Sequence, residues 1–190
     1  MVIGSVPSRD KLLEGLRSNA FRQFESGLEE ERVGWCDWRN LLITPPDENW
    51  VDQERFAIFS LRVDTRKVPG SLLKAQVDLR LESMQENSSI AFINKEMSVS
   101  IRDEVSSELL PKVLPTPKIF EVAWDMRGGV LLTTASSNKS ESILTNLFVK
   151  SFGCELQPVI PILLANRLLS NISVDFLMAL SPLDLTVEIV

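Results

Sequence analysis

The sequence predicts an α+β fold: antiparallel sheets with packed helices and a projecting two-helix lobe. Three observations carry that expectation. Between Ile101 and Gly153, a helical pattern ending Glu108-Leu109-Leu110-Pro111-Lys112 leads into two strand patterns and then another helix. Upstream, an alternating run from Phe56 to Asp64 is followed by two successive helical patterns. At 190 residues, the chain can hide roughly 70% of its unfolded surface, so a core forms without disulfide staples.

Taken in order, Val2 to Val6 reads as a short strand and Pro7-Ser8 as a turn and N-cap. Leu12, Leu13, Leu16, Ala20, Phe21 and Phe24 recur every three or four residues, the core face of a helix closed by Gly27. Val33-Gly34-Trp35 opens a segment rich in Trp, Pro and Asp that runs to Trp50, with a turn at Pro45-Pro46-Asp47. Trp35, Trp38 and Trp50 are candidates for a base-stacking platform, although packing is the commoner use of tryptophan.

From Phe56 to Asp64, Ala57, Phe59, Leu61 and Val63 alternate with polar neighbours, predicting a half-buried strand. Pro69-Gly70-Ser71 starts a helix carrying Leu72, Leu73, Val77, Leu81 and Met84. A second helix spans roughly 95–114, and Asn87-Ser88-Ser89 joins the two into a projecting lobe. Strands follow at Ile119 to Asp125 and Val130 to Ala135, around a turn at Met126-Arg127-Gly128-Gly129 where glycine supplies positive φ. Ser136-Ser137-Asn138 offers caps for a helix with Ile143, Leu144, Leu147, Phe148 and Phe152 in its stripe, ended by Gly153. Two β-compatible runs around Pro182 complete the chain from Val174 to Val190. This divides the chain into an N-terminal α+β part (1–68), a helical lobe (69–118) and a C-terminal α+β part (119–190), or one continuous domain with the lobe inserted.

The chemistry is defined by what is missing. There is no histidine, which removes the commonest general base and metal ligand and every Ser-His triad. No phosphate-cradling GxxxxGK[ST] motif occurs. Glu29-Glu30-Glu31 and the helical Asp103, Glu104 and Glu108 could hold Mg²⁺ for nuclease chemistry, but on a helix such acids are more often a solvated face. The expectation is a non-enzyme with no cofactor, metal or small-molecule substrate. Cys36 and Cys154 form no motif and read as small buried hydrophobes in a reducing cytoplasm. No leader or lipid-attachment motif is evident, and Asn166, Arg167, Asn171 and Asp175 interrupt the apolar tract from Val159 to Leu183 before it could span a bilayer. With 20 basic against 26 acidic residues, a net of −6 opposes generic attraction to a polyanion, so any basic groove is assembled locally.

With these elements placed, the chain resembles the RdgC family of recombination-associated DNA-binding proteins. The resemblance runs through Val33-Gly34-Trp35, Lys67-Val68-Pro69, Leu79-Arg80-Leu81-Glu82 and Asp103-Glu104-Val105 through Leu109-Leu110-Pro111-Lys112. It continues through Val122-Ala123-Trp124-Asp125, Gly129-Val130-Leu131, Ala135-Ser136 and Pro158-Val159-Ile160-Pro161. It implies a homodimeric ring in the cytoplasm, associated with the nucleoid, that binds double-stranded DNA without sequence specificity and limits access of the RecA recombinase. Lys67, Arg102 and Lys112 match basic family positions and are the implied DNA contacts. Leu114 stands where the family has a ring-closing aromatic at the helical tips. The connector Glu86-Asn87-Ser88-Ser89-Ile90-Ala91-Phe92 replaces a Lys/Arg-rich stretch, and the family's proteins continue past the strand near Leu183, so a complete ring is not expected. An alternative expectation is a protein-interaction or self-association module that has lost DNA binding and uses Phe92, with Ile90, Ala91 and Ile93, as its contact patch.

Overall fold

A computed structural model describes residues 1–25, 27–51, 55–87, 94–168 and 173–179. The alternating run forms β3 (Phe56–Thr65), which pairs antiparallel with β4 (Thr116–Asp125) from Phe56 opposite Asp125 to Thr65 opposite Thr116. β2 (Glu31–Cys36) joins the free side of β3, and β5 (Val130–Thr133) joins β4, giving the order β2-β3-β4-β5. This register sets Trp35 opposite Leu61, Phe59 opposite Val122 and Ala57 opposite Trp124, concentrating apolar side chains on one face.

Two helices cover that face. α1 (Arg9–Ser18) contributes Leu12, Leu13 and Leu16, and α4 (Asn138–Phe152) contributes Leu144 and Phe148, to the core cluster that contains Trp35, Phe59, Leu61 and Trp124. Phe148 meets Trp124 at 5.0 Å and Phe152 at 4.8 Å between ring centroids, while Trp35 meets Phe59 edge-on at 5.0 Å. Each such pair contributes about 0.5–1.5 kcal/mol beyond its buried area. A capping box between Ser137 and Ser140 starts α4, and Gly153, at φ 67°, ends it. A small second sheet pairs β1 (Val2–Ile3) with β6 (Glu155–Leu156), a strand the sequence pattern did not signal. α5 (Pro161–Leu168) and α6 (Val174–Met178) follow.

Several expectations are corrected. α1 stops at Ser18, well short of Phe24 and Gly27, because the next residues bond to the edge of β2: Trp35 N–H donates to Asn19 O and Phe21 N–H to Trp35 O. Gly34 permits this approach, since a Cβ there would lie 2.3 Å from Phe21 Cα. β3 is also more than half-buried. Ser60 and Asp64 are as enclosed as the apolar side, because Arg62 reaches across the second face, lies over the Phe21 ring and donates to Leu41 O.

The second lobe helix ends at Leu109, five residues early. Pro111 lacks an N–H and clashes with a preceding carbonyl, so the chain tightens into a single 3₁₀ turn, Leu110–Lys112. β4 then starts three residues before Ile119 and includes Pro117. Glu121 exchanges bonds with Thr134 toward the β5 side, so Pro117, four residues earlier, turns its nitrogen to the same side, where β5 does not extend. Of the expected C-terminal strand runs, the first begins in α6, and 180–190 lie outside the described residues. Among the described residues, no helix is long and apolar enough to cross a membrane.

Candidate nucleic-acid interface

Between the paired ends of β3 and β4 the chain makes α2 (Gly70–Asn87) and α3 (Lys95–Leu109), which pack on each other. Leu73, Val77, Leu81 and Met84 recur at helical spacing on α2 and are half-buried, while α3 buries Ile101 and Val105. The Asn94 side chain caps α3 by accepting from Met97 N–H at 2.7 Å. Arg80 on α2 donates to Glu108 on α3 at 2.9 Å. Leu72, Leu79 and Val99 remain exposed.

The two helices enclose a groove of about 480 Å³. Leu73, Val77 and Val99 supply its apolar lining, Lys74, Lys95 and Arg102 its cations and Asp78 its acid. Seven residues separate Lys95 from Arg102, two helical turns, which places them on one face about 10 Å apart along the axis. Neither these cations nor Lys74 forms an ion pair among the described residues, whereas Arg17, Arg32, Arg39, Arg62, Arg80 and Lys139 all do.

Of the three basic positions singled out by resemblance, Arg102 alone lines this groove. Lys67 is exposed two residues beyond Thr65, and Lys112 is exposed in the 3₁₀ turn four residues before Thr116. Because Thr65 pairs with Thr116, both lysines lie close in sequence to where the helices leave the sheet. Leu114 is 86% exposed at the entry to β4, rather than in the connection between α2 and α3. Phe92, with Ile90, Ala91 and Ile93, lies outside the described residues. Lys74 and Lys95 were missed by sequence reasoning. The seven-residue spacing from Lys95 to Arg102 was a usable signal, but the contribution of Lys74 depends on how α2 packs.

The tryptophans do not form one stacking platform. Trp35 is fully buried in the core, while Trp38 and Trp50 meet edge-to-face at 5.1 Å with Arg39 over the Trp50 ring at 4.8 Å. Arg39 also donates to buried Asp37 at 3.2 Å, and Asp47 N–H donates to the same carboxylate. Burial opposes ionisation of Asp37, yet these hydrogen bonds hold its carboxyl below its ordinary value. Cys36 and Cys154 are buried and unpaired, and burial pushes the Cys36 thiol up to about 11. Asp103 and Glu104 are exposed on α3. Among the described residues, no three His, Cys, Asp or Glu side chains are grouped to hold a metal.

A protein-family model described as "RdgC: Putative exonuclease, RdgC" matches residues 4–171. No curated protein gives a significant match.

Proposed function

The chain belongs to the RdgC family, and from that premise we propose that it binds double-stranded DNA without sequence specificity in a recombination-associated role, limiting RecA access to the DNA it occupies. The family match over 4–171 carries the reading. The exposure of Lys67, Arg102 and Lys112 supports it, because phosphate contacts need long cations that are free of internal partners. Three such contacts give a slope of about −2.7 in log affinity against log salt, or about 40-fold weaker binding between 50 and 200 mM salt.

The test is fluorescence anisotropy of a labelled duplex titrated with the purified chain at several salt concentrations. Association that weakens with that slope or a steeper one, on duplexes of unrelated sequence alike, supports the reading. No association at low salt overturns it. The same reading has the chain hold DNA without cutting it. A labelled duplex incubated with the chain and Mg²⁺ therefore keeps its length, and progressive shortening from the ends would replace binding by the exonuclease activity in the family's description.

Self-association belongs to the same proposal. Leu114, 86% exposed, stands where the resemblance places the ring-closing side chain, and its exposure leaves it accessible for such a contact. Sedimentation of the purified chain as a dimer, and of Leu114→Asp as a monomer, is the expected result. A dimer that persists in the variant removes Leu114 from the contact.

A further inference from the structure

We propose that the groove between α2 and α3 holds the phosphate backbone of one DNA strand, with Lys74 and Lys95 acting beside Arg102 and with Asp78 limiting affinity. The inference rests on the DNA-binding reading above and assigns it a contact surface.

The first argument is the distribution of free charge. Part of the chain's basic complement is neutralised internally: Arg32 by Glu29 at 2.9 Å, Arg39 by Asp47 at 3.1 Å, Arg62 by Asp64 at 2.7 Å, and Arg17 by Glu48. Lys74, Lys95 and Arg102 are exposed and have no ion pair among the described residues, yet two separate helices bring them to one concavity. Asp78 is the one carboxylate lining the groove beside these three cations, while Glu96 and Asp103 share an adjoining depression with Lys95, so the repulsion among the cations is only partly offset. A polyanion seated there would relieve it, and concave walls of low dielectric focus the local potential even on a protein of net charge −6.

Spacing and lining narrow the ligand. Lys95 and Arg102 stand about 10 Å apart along one helix face, far enough for their side chains to engage separate phosphates of an extended polyanion. Leu73, Val77 and Val99 offer no donor or acceptor to base edges. Contacts made from here to phosphate carry charge but no sequence information. Asp78 repels phosphate, which keeps occupancy reversible.

The experiment is salt-dependent anisotropy on one duplex with the unaltered chain, Lys74→Gln/Lys95→Gln, Asp78→Asn and a charge-matched control, Lys11→Gln/Lys150→Gln, in which both lysines line a different surface depression by α1 and α4. Circular dichroism checks that each variant is folded. Five phosphate contacts, the groove's three with Lys67 and Lys112, give the unaltered chain a slope of about −4.5, falling to about −2.7 in the groove variant. The control keeps the original slope, and Asp78→Asn binds more tightly. If the chain binds DNA but the groove variant keeps the unaltered slope, or the control loses as much, the groove is overturned while the DNA-binding reading stands. If the unaltered chain does not bind DNA, that reading falls and the groove assignment with it.

Discussion

Replacing Gly15 by alanine sets two effects of opposite sign against each other. Gly15 sits inside α1, where helix propensity alone favours alanine by about 1 kcal/mol. The packing says otherwise. A Cβ at Gly15 would lie 2.3 Å from the Ser151 carbonyl oxygen and 3.1 Å from the Phe152 ring. Ordinary contact begins near 3.4 Å, so α1 and α4 would have to separate by about 1 Å at their closest approach. The obstacle is helix backbone and cannot rotate away, which places the cost at the upper end of the roughly 1–3 kcal/mol typical of overpacking. Separation would also loosen Leu12 and Leu16 against Phe148 in the same core. The net expectation is a loss of about 2 kcal/mol, after the gain in propensity, and a melting temperature lower by about 4–8 °C for a chain of this size. Urea denaturation followed by tryptophan fluorescence gives the first quantity and a thermal scan by circular dichroism the second. A Gly15→Ala protein as stable as the unaltered chain, or more so, would refute the claim that backbone contact between α1 and α4 demands glycine.

Gly70→Ala is the counterpart, since a Cβ there meets nothing within 4 Å; it leaves stability unchanged or raises it by up to about 1 kcal/mol in the same urea titration. Asp64→Asn is expected to cost about 3 kcal/mol, the lower end for a buried pair, by stranding the largely enclosed Arg62 guanidinium, which both carboxylate oxygens now engage at 2.7 Å. Replacing the pair together, Arg62→Met with Asp64→Leu, costs much less, and equal losses in the two proteins would show that the pair is not coupled. Asp37 has a folded pKa below its unfolded value, so its contribution is present above the ordinary carboxyl range near 3.9 and is lost as pH falls through that range toward the folded value. Asp37→Asn therefore lowers the urea midpoint at pH 7 and narrows the gap to the unaltered chain toward pH 3; a gap that stays constant with pH would remove Asp37 from the acid sensitivity.

The parts of the fold that were legible in the sequence are those set by local periodicity. The alternation of Ala57, Phe59, Leu61 and Val63 located β3, and the stripe from Leu144 to Phe152 with Ser137 and Gly153 at its ends located α4. What local pattern missed was decided by distant partners. Phe21 and Phe24 have helical spacing, but the edge of β2 offers Asn19 and Phe21 backbone bonds that a longer α1 would forgo. The burial of Ser60 and Asp64 depends on Arg62, Leu41 and Phe21 meeting over the second sheet face, and no short-range pattern encodes that meeting. β6, two residues long, owes its existence to pairing with β1 across nearly the whole chain.

The candidate site shows the same division at finer scale. At about 100° per residue, Lys95 and Arg102 lie within about 20° of each other around α3. Glu96 and Asp103, also seven residues apart, fall about 80–100° further round, and Glu104 and Glu108 lie beyond them. A helix that alternates acids and bases along its sequence thus separates them around its circumference. The net charge of −6 conceals this, because a sum over the whole chain carries no information about which way its charges face. The decisive quantity is the unpaired charge facing one concavity. That quantity becomes visible only when α2 packs on α3 and brings Lys74 to the same groove. It follows that moving a cation around α3, as in Arg102→Gln with Glu104→Arg, makes the net charge less negative by one yet weakens DNA binding. A measurement showing tighter binding by that variant would mean that total charge, and not its placement, governs the interaction.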